Sequence, residues 1–168
     1  MSALHYFNLF VITPIVAFVT FSNFHLQLYS KCVTVSQWIS LFLMKTFMFV
    51  ILYDFMFHYL HRLFHTKWLF KNIHSIHHRM ELHGNGFHCH PLEHAIVNIF
   101  PFCLSGYLVS YDYQMMIIWS LMALINNAYT HTSAETNHKL HHKYHNVNYG
   151  IGFAIFDRIH STYLKNRN

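Results

Sequence analysis

Apolar residues fall into four long runs, separated by polar stretches rich in histidine. The first, Leu4 to Leu28, holds no Lys, Arg, Asp or Glu and is long enough to cross about 30 Å of hydrocarbon, so it predicts a transmembrane helix. A cleaved secretory signal is the competing reading, disfavoured by the lack of a basic start and of a small-residue cleavage site. The second run, Val33 to Leu60, is also long enough to span and carries two charges, Lys45 and Asp54, which need partners or water. Ala95 to Ser110 and Tyr113 to Ala128 are shorter and meet at Tyr111, Asp112 and Tyr113. They predict a tilted or re-entrant helical hairpin, its first arm loosened by Pro101 and Gly106. The expected fold is all-α: one integral membrane helical domain over residues 1–168, with about four transmembrane or re-entrant helices.

Composition agrees with that class. Apolar residues make up 54% and charged residues 10%, against about a quarter charged in soluble domains. The formal charge of +5 is explained by position. If the second helix and the hairpin open on one side, Arg62, Lys67, Lys71, Arg79, Lys139, Lys143, Arg158, Lys165 and Arg167 share that side. Lys31 alone lies opposite and Lys45 lies within a span, a bias that orients the shared face to the cytosol. No basic run interleaved with aromatics is present, so no nucleic-acid partner is expected. Cys32, Cys89 and Cys103 have no pairing or ligand spacing and read as small apolar residues.

The polar stretches carry the chemistry. Eight histidines form three boxes: His61 and His65; His74, His77 and His78; His138, His141 and His142. Two boxes repeat HxxHH, and a shuffled chain with 18 histidines in 168 residues would give about 0.2 such matches. Residues three or four apart share a helix face, so each box can aim two or three ring nitrogens at a common point. His131, two helical turns before His138, is the ninth candidate ligand. Asp54, His58, His61 and His65 follow at steps of 4, 3 and 4, one stripe on a helix leaving the membrane. Asp54 is placed either to take the second ring proton of a ligand histidine or to pair with Lys45 or Arg62. Thr66 to Asn72 would reverse the chain, with Trp68 and Phe70 at the interface. His83, His88, His90, His94, His145 and His160 are not expected as primary ligands, His90 being the one possible exception, and His58 on the ligand stripe is left open.

Eight or nine imidazoles exceed the four that satisfy a structural zinc, which implies two metals. The scarcity of carboxylates argues against a bundle built on Glu and Glu-x-x-His motifs. A site opening beside a bilayer points to a lipid substrate.

DFMFHYLHRLFH from Asp54 resembles the D-x-x-x-x-Y-x-H-R-x-x-H opening of the fatty acid hydroxylase and sterol desaturase superfamily. KNIHSIHHRM from Lys71, HPLE from His90, NHKLHHKYHNVNYG from Asn137 and FDRIHST from Phe156 resemble its later motifs in the same order, covering about residues 45–163. The resemblance implies an integral membrane oxidoreductase holding two non-haem irons and using molecular oxygen. It would attack a lipid carbon-hydrogen bond in a sphingoid base, fatty acyl chain or sterol. His61, His65, His74, His77, His78, His138, His141 and His142 would be iron ligands, with His131 the ninth. A cytochrome b-type donor with an NAD(P)H-dependent reductase would deliver electrons, and the endoplasmic reticulum is the expected location. Ser161 departs from a common glycine, and His58 and His160 are additions to the pattern. HPLE resembles the hydroxylase branches and NYG the sterol desaturases, so hydroxylation leads and desaturation is the alternative. A non-catalytic, zinc-binding membrane scaffold is the rival from another class.

Overall fold

The computed structural model describes residues 3–23, 34–79, 86–109, 113–131, 137–151 and 153–165. Helix accounts for 80% of them and no strand occurs among them, as the all-α expectation required. Seven helices are described. Helix α1 runs through Ala3–Phe7, the π-helical Asn8–Ile12 and Thr13–Asn23. Helix α2 is Val35–Phe64. Helix α3 joins Lys67–Leu69, the π-helical Phe70–His74 and Ser75–His78. Helix α4 joins Pro91–Glu93, the π-helical His94–Ile99 and Phe100–Leu108. Helices α5, α6 and α7 are Tyr113–Thr130, Asn137–Tyr144 and Ile155–Ile159.

Helix α2 is the axis of the fold. It begins in a capping box, where the Thr34 hydroxyl accepts from the Gln37 amide at 3.3 Å and the Gln37 side chain accepts from the Thr34 amide at 2.9 Å. Its 30 residues rise roughly 45 Å, some ten residues more than a hydrocarbon core needs, so its histidine-bearing end projects beyond the apolar window. Only 11% of that window is buried, with Leu43 and Phe47 61% and 69% exposed, unlike the core helix of a soluble protein. Among the described residues α2 alone is long and apolar enough to cross a membrane. The other expected spans are shorter or mixed: the apolar part of α1 is Ala3–Val19, α4 carries buried His94 and Ser105, and α5 ends in Asn126, Asn127 and Thr130. Residues 24–28 of the first predicted span, the hairpin turn at Tyr111 and Asp112, and Lys31, Cys32, His83 and Arg167 lie outside the described residues.

Two apolar clusters tie the helices to α2. Phe49 stacks on Trp119 of α5 at 4.3 Å, with Val109, Met115 and Met116 around them, and the Trp119 indole N–H donates to Thr46 at 3.0 Å. Nearer the histidines, Phe57, Phe64, Ile73 and Val97 join α2 to α3 and α4, each fully buried side chain of this size worth roughly 1.5–3 kcal/mol. Pro101 stays inside α4 because the wider π-helical turn before it relieves the clash its ring would make with the preceding turn.

The chain closes with a tight segment across the projecting end of α2. His145, Asn148, Ala154 and Ser161 all adopt positive φ, 62°, 52°, 49° and 57°. Such conformations cost about 1–3 kcal/mol each outside glycine, so other contacts must hold this segment. Ser161 takes the backbone shape that a glycine adopts freely.

Candidate metal centre

All nine predicted ligands converge, but not box by box. His61, His65, His74, His78 and His141 form one group, and His77, His131, His138 and His142 form another; within each, one ring nitrogen per residue lies within 4.8 Å of all the others. Each HxxHH box therefore splits. Its first and last histidines, four apart, share a helix face and serve one group, while the middle one, turned by about 100°, serves the other. His74 and His78 join the first group and His77 the second; His138 and His142 join the second and His141 the first. The expected common point per box is thus replaced by two points, each drawing on both boxes.

The nitrogen spacing is informative. In the first group Nε2 atoms are 3.1 Å apart for His61 and His74, 2.9 Å for His65 and His74, 3.0 Å for His74 and His78, and 3.1 Å for His65 and His141. In the second they are 3.1 Å for His77 and His142, 3.0 Å for His138 and His142, and 3.1 Å for His131 and His138. Imidazole nitrogens about 2.1 Å from one ion lie about 3.0 Å apart at right angles and about 3.4 Å apart at tetrahedral angles. The spacing matches the edges of an octahedron.

Ring protons decide what sits between them. The Nδ1 of His61 donates to the Tyr149 carbonyl at 2.7 Å, that of His141 to the Val147 carbonyl at 2.7 Å, and that of His131 to the Asn127 carbonyl at 2.9 Å. A carbonyl only accepts, so these three rings carry their proton on Nδ1 and present a bare Nε2 lone pair inward. Burial, reinforced by mutual repulsion, pushes His65 down to about 2 and His142 to about 3. The same causes hold His74, His77, His78, His138 and His141 well below the ordinary imidazole value, and burial lowers His131. Neutral imidazoles with lone pairs about 3 Å apart repel one another unless a cation lies between them. The donor set fits two such cations, the first facing five nitrogens and the second four.

Supporting contacts differ from expectation at Asp54. Its carboxylate, 1% exposed, accepts from the amides of Ile155 at 2.8 Å and Phe156 at 3.3 Å, across 101 and 102 residues, rather than from a histidine or from Lys45 or Arg62. The acceptor beside His61 is the Tyr149 carbonyl, which sequence spacing does not reveal because every residue has a carbonyl. Glu93 of HPLE is the other missed contributor, its Oε1 2.7 Å from Nδ1 of His74, with both side chains buried. Burial pushes the Glu93 carboxyl well up, a trend that a neighbouring cation opposes.

The other described histidines lie outside both groups. His90 caps α4 by accepting from the Leu92 amide, and His94 bonds Thr13 and Asn98. His58 is fully buried near Asp157 and stacks on His160. His145 is exposed with its ring 4.6 Å from that of His78. Phe70 packs on His65, His78 and His145, and Trp68 is 67% exposed.

A cavity of about 310 Å³ opens against both groups, touching His61, His74, His77, His131 and His138. Its other walls include Phe57, Val97, Phe102 and Leu124, so it is polar at the histidines and largely apolar beyond them.

Comparison with known proteins gives the same region. The family model described as fatty acid hydroxylase matches residues 46–162. The chain is 27% identical over 130 residues to the human fatty acid hydroxylase domain-containing protein 2, covering 72% of this chain and 39% of that protein. It is 30% identical over 131 residues to the Delta(7)-sterol 5(6)-desaturase ERG3A of Gibberella zeae, covering 69% and 36% respectively. A segment of 30 residues, 18% of this chain and 11% of the relative, is 57% identical to methylsterol monooxygenase 2-1 of Arabidopsis thaliana. The chain thus spans under two fifths of the length of these relatives. No solved structure matches.

Proposed function

Because the chain belongs to the fatty acid hydroxylase family, we propose that it is an integral membrane, non-haem di-iron oxidoreductase that hydroxylates a lipid carbon-hydrogen bond. The observation that carries this reading is the pair of largely buried histidine groups, with His61, His131 and His141 turning bare Nε2 lone pairs inward, at the wall of an apolar cavity. His61, His65, His74, His78 and His141 would hold one iron and His77, His131, His138 and His142 the other. Bound there, iron supplies the capacity to use O2 and two delivered electrons against an unactivated carbon-hydrogen bond. The residues around it do the rest. Tyr149, Val147, Asn127 and Glu93 fix ring orientation through Nδ1 and keep each Nε2 aimed inward. Phe57, Val97 and Phe102 exclude water and seat a methylene chain or ring edge beside the histidines.

Iron is favoured over a structural zinc because the first group offers five nitrogens, one more than a tetrahedral shell takes, and both groups show right-angle spacing. Four membrane-embedded segments with the histidines facing the cytosol, in the endoplasmic reticulum, complete the proposal. The basic residues Arg62, Lys67, Lys71, Lys139 and Lys143 would flank the centre and offer a cytochrome b-type donor, fed by an NAD(P)H-dependent reductase, an acidic-patch docking face. Desaturation is the second reading, favoured by the 30% identity to a sterol desaturase.

Lipid profiling of a host expressing the wild type beside His141→Ala tests both. Hydroxylation adds one oxygen to a lipid and desaturation removes two hydrogens. Identical profiles in the two strains, at equal protein levels, would remove the oxidase reading.

A further inference from the structure

The closing segment raises a question of support: it holds four non-glycine residues at positive φ, yet it supplies the two carbonyls that orient His61 and His141. What holds it is a pair of buried carboxylates. Asp157, fully buried, accepts from the Tyr149 amide at 2.9 Å and the Thr162 hydroxyl at 2.6 Å through Oδ1, and from the Gly150 amide at 2.6 Å through Oδ2. Its own carbonyl accepts from the amides of Thr162 and Tyr163. Asp54, on α2, accepts from Ile155 and Phe156 and so pins the start of α7 to the helix that carries His61. Gly150 lies between the two acids, where an added Cβ would stand 2.8 Å from Asp157 Oδ2 and 2.9 Å from Asp54 Oδ1.

We propose that Asp157, braced by Asp54 across Gly150, is a positioning residue for the five-histidine group alone: it sets the Tyr149 carbonyl, which sets the tautomer and angle of His61. The inference rests on the two-metal reading above. Both anchored ligands, His61 and His141, belong to that group, and no described contact of Asp157 reaches His77, His131, His138 or His142. The clamp therefore acts on one metal and not the other. Neither acid belongs to a histidine group or lines the cavity, which separates this role from ligation.

Asp157→Asn isolates the role. Both Asp157 oxygens accept from N–H groups, so either orientation of an asparagine amide turns an NH2 against a backbone N–H. The experiment is Co(II) titration of the full chain in detergent, stripped of metal and followed by absorption, with helicity recorded by circular dichroism. Wild type should take up two equivalents. The variant should bind one with wild-type affinity and the other about 10–100-fold more weakly, at unchanged helicity. Gly150→Ala should give the same split by pressing the acids apart, and it decides the matter alone if Asp157→Asn does not fold. Two equivalents at wild-type affinity in the variant, or equal weakening of both, would overturn the clamp while leaving the two-metal reading intact. Uptake of fewer than two equivalents by wild type would remove that reading, and the clamp with it.

Discussion

Glu93 gives the sharpest single perturbation of the candidate metal centre. Its Oε1 lies 2.7 Å from Nδ1 of His74, and Nε2 of His74 is the hub of the first group, 3.1, 2.9 and 3.0 Å from those of His61, His65 and His78. Glu93→Leu removes the acceptor and leaves a buried ring N–H unpaired, a penalty of about 1–3 kcal/mol. The ring can escape that penalty by moving its proton to Nε2, which withdraws one of five donors from the metal. Loss of such a supporting partner weakens metal affinity about 10–100-fold, or roughly 1.4–2.7 kcal/mol. Leucine belongs at the upper end of that range. Glu93→Gln keeps an acceptor oxygen but not the charge, and belongs near the lower end. Competition between purified protein and a chelator of known affinity reads both values, with circular dichroism to verify the helices. Wild-type affinity in Glu93→Leu would refute the claim that His74 is oriented by Glu93 for a metal.

Three further outcomes follow from other parts of the structure. Gly86→Ala places a Cβ 1.8 Å from the Asn127 side-chain oxygen and 2.7 Å from Nδ1 of His131, so it should weaken one of two metal equivalents by disturbing the four-histidine group; unchanged uptake of both would contradict that placement. Trp119→Ala empties a site stacked on Phe49 and should cost about 3–5 kcal/mol in detergent unfolding, and a loss under 1 kcal/mol would show the α2–α5 contact to be loose. Metal-stripped protein should lose stability as pH falls below about 6.5. His65 and His142 stay neutral in the fold down to about 2 and 3, whereas the unfolded chain takes up protons there, costing roughly 1.4 kcal/mol each at pH 5.5. Melting temperatures that do not change between pH 7.5 and 5.5 would contradict this.

Much of the candidate site was legible because its histidine boxes obey helical spacing. Histidines three and four apart must share or divide a helix face, and the eight of the boxes meet in two groups together with His131, which lies just past α5 and not on the helix of His138. The division within HxxHH was not legible: it depends on where two such helices face one another, which local spacing does not encode. The partners of the rings were hidden for a different reason. Tyr149 and Val147 act through carbonyls, which carry no side-chain signature, and Asp54 finds its partners about a hundred residues away. In the fold, apolar run length identified α2 well, since composition and length act alike there. The other runs are shorter or mixed, with Ser105, Asn126 and Asn127 inside them, and the three π-helical turns among the described residues leave no period of their own.

The central claim is an iron pair that oxidises lipid at these nine histidines. Its most direct test is elemental analysis of the purified full chain together with oxygen uptake on adding reductant and membrane lipid. The account predicts about two irons per chain, falling with His141→Ala, and oxygen consumption that falls with them. One zinc per chain with no oxygen uptake would contradict it.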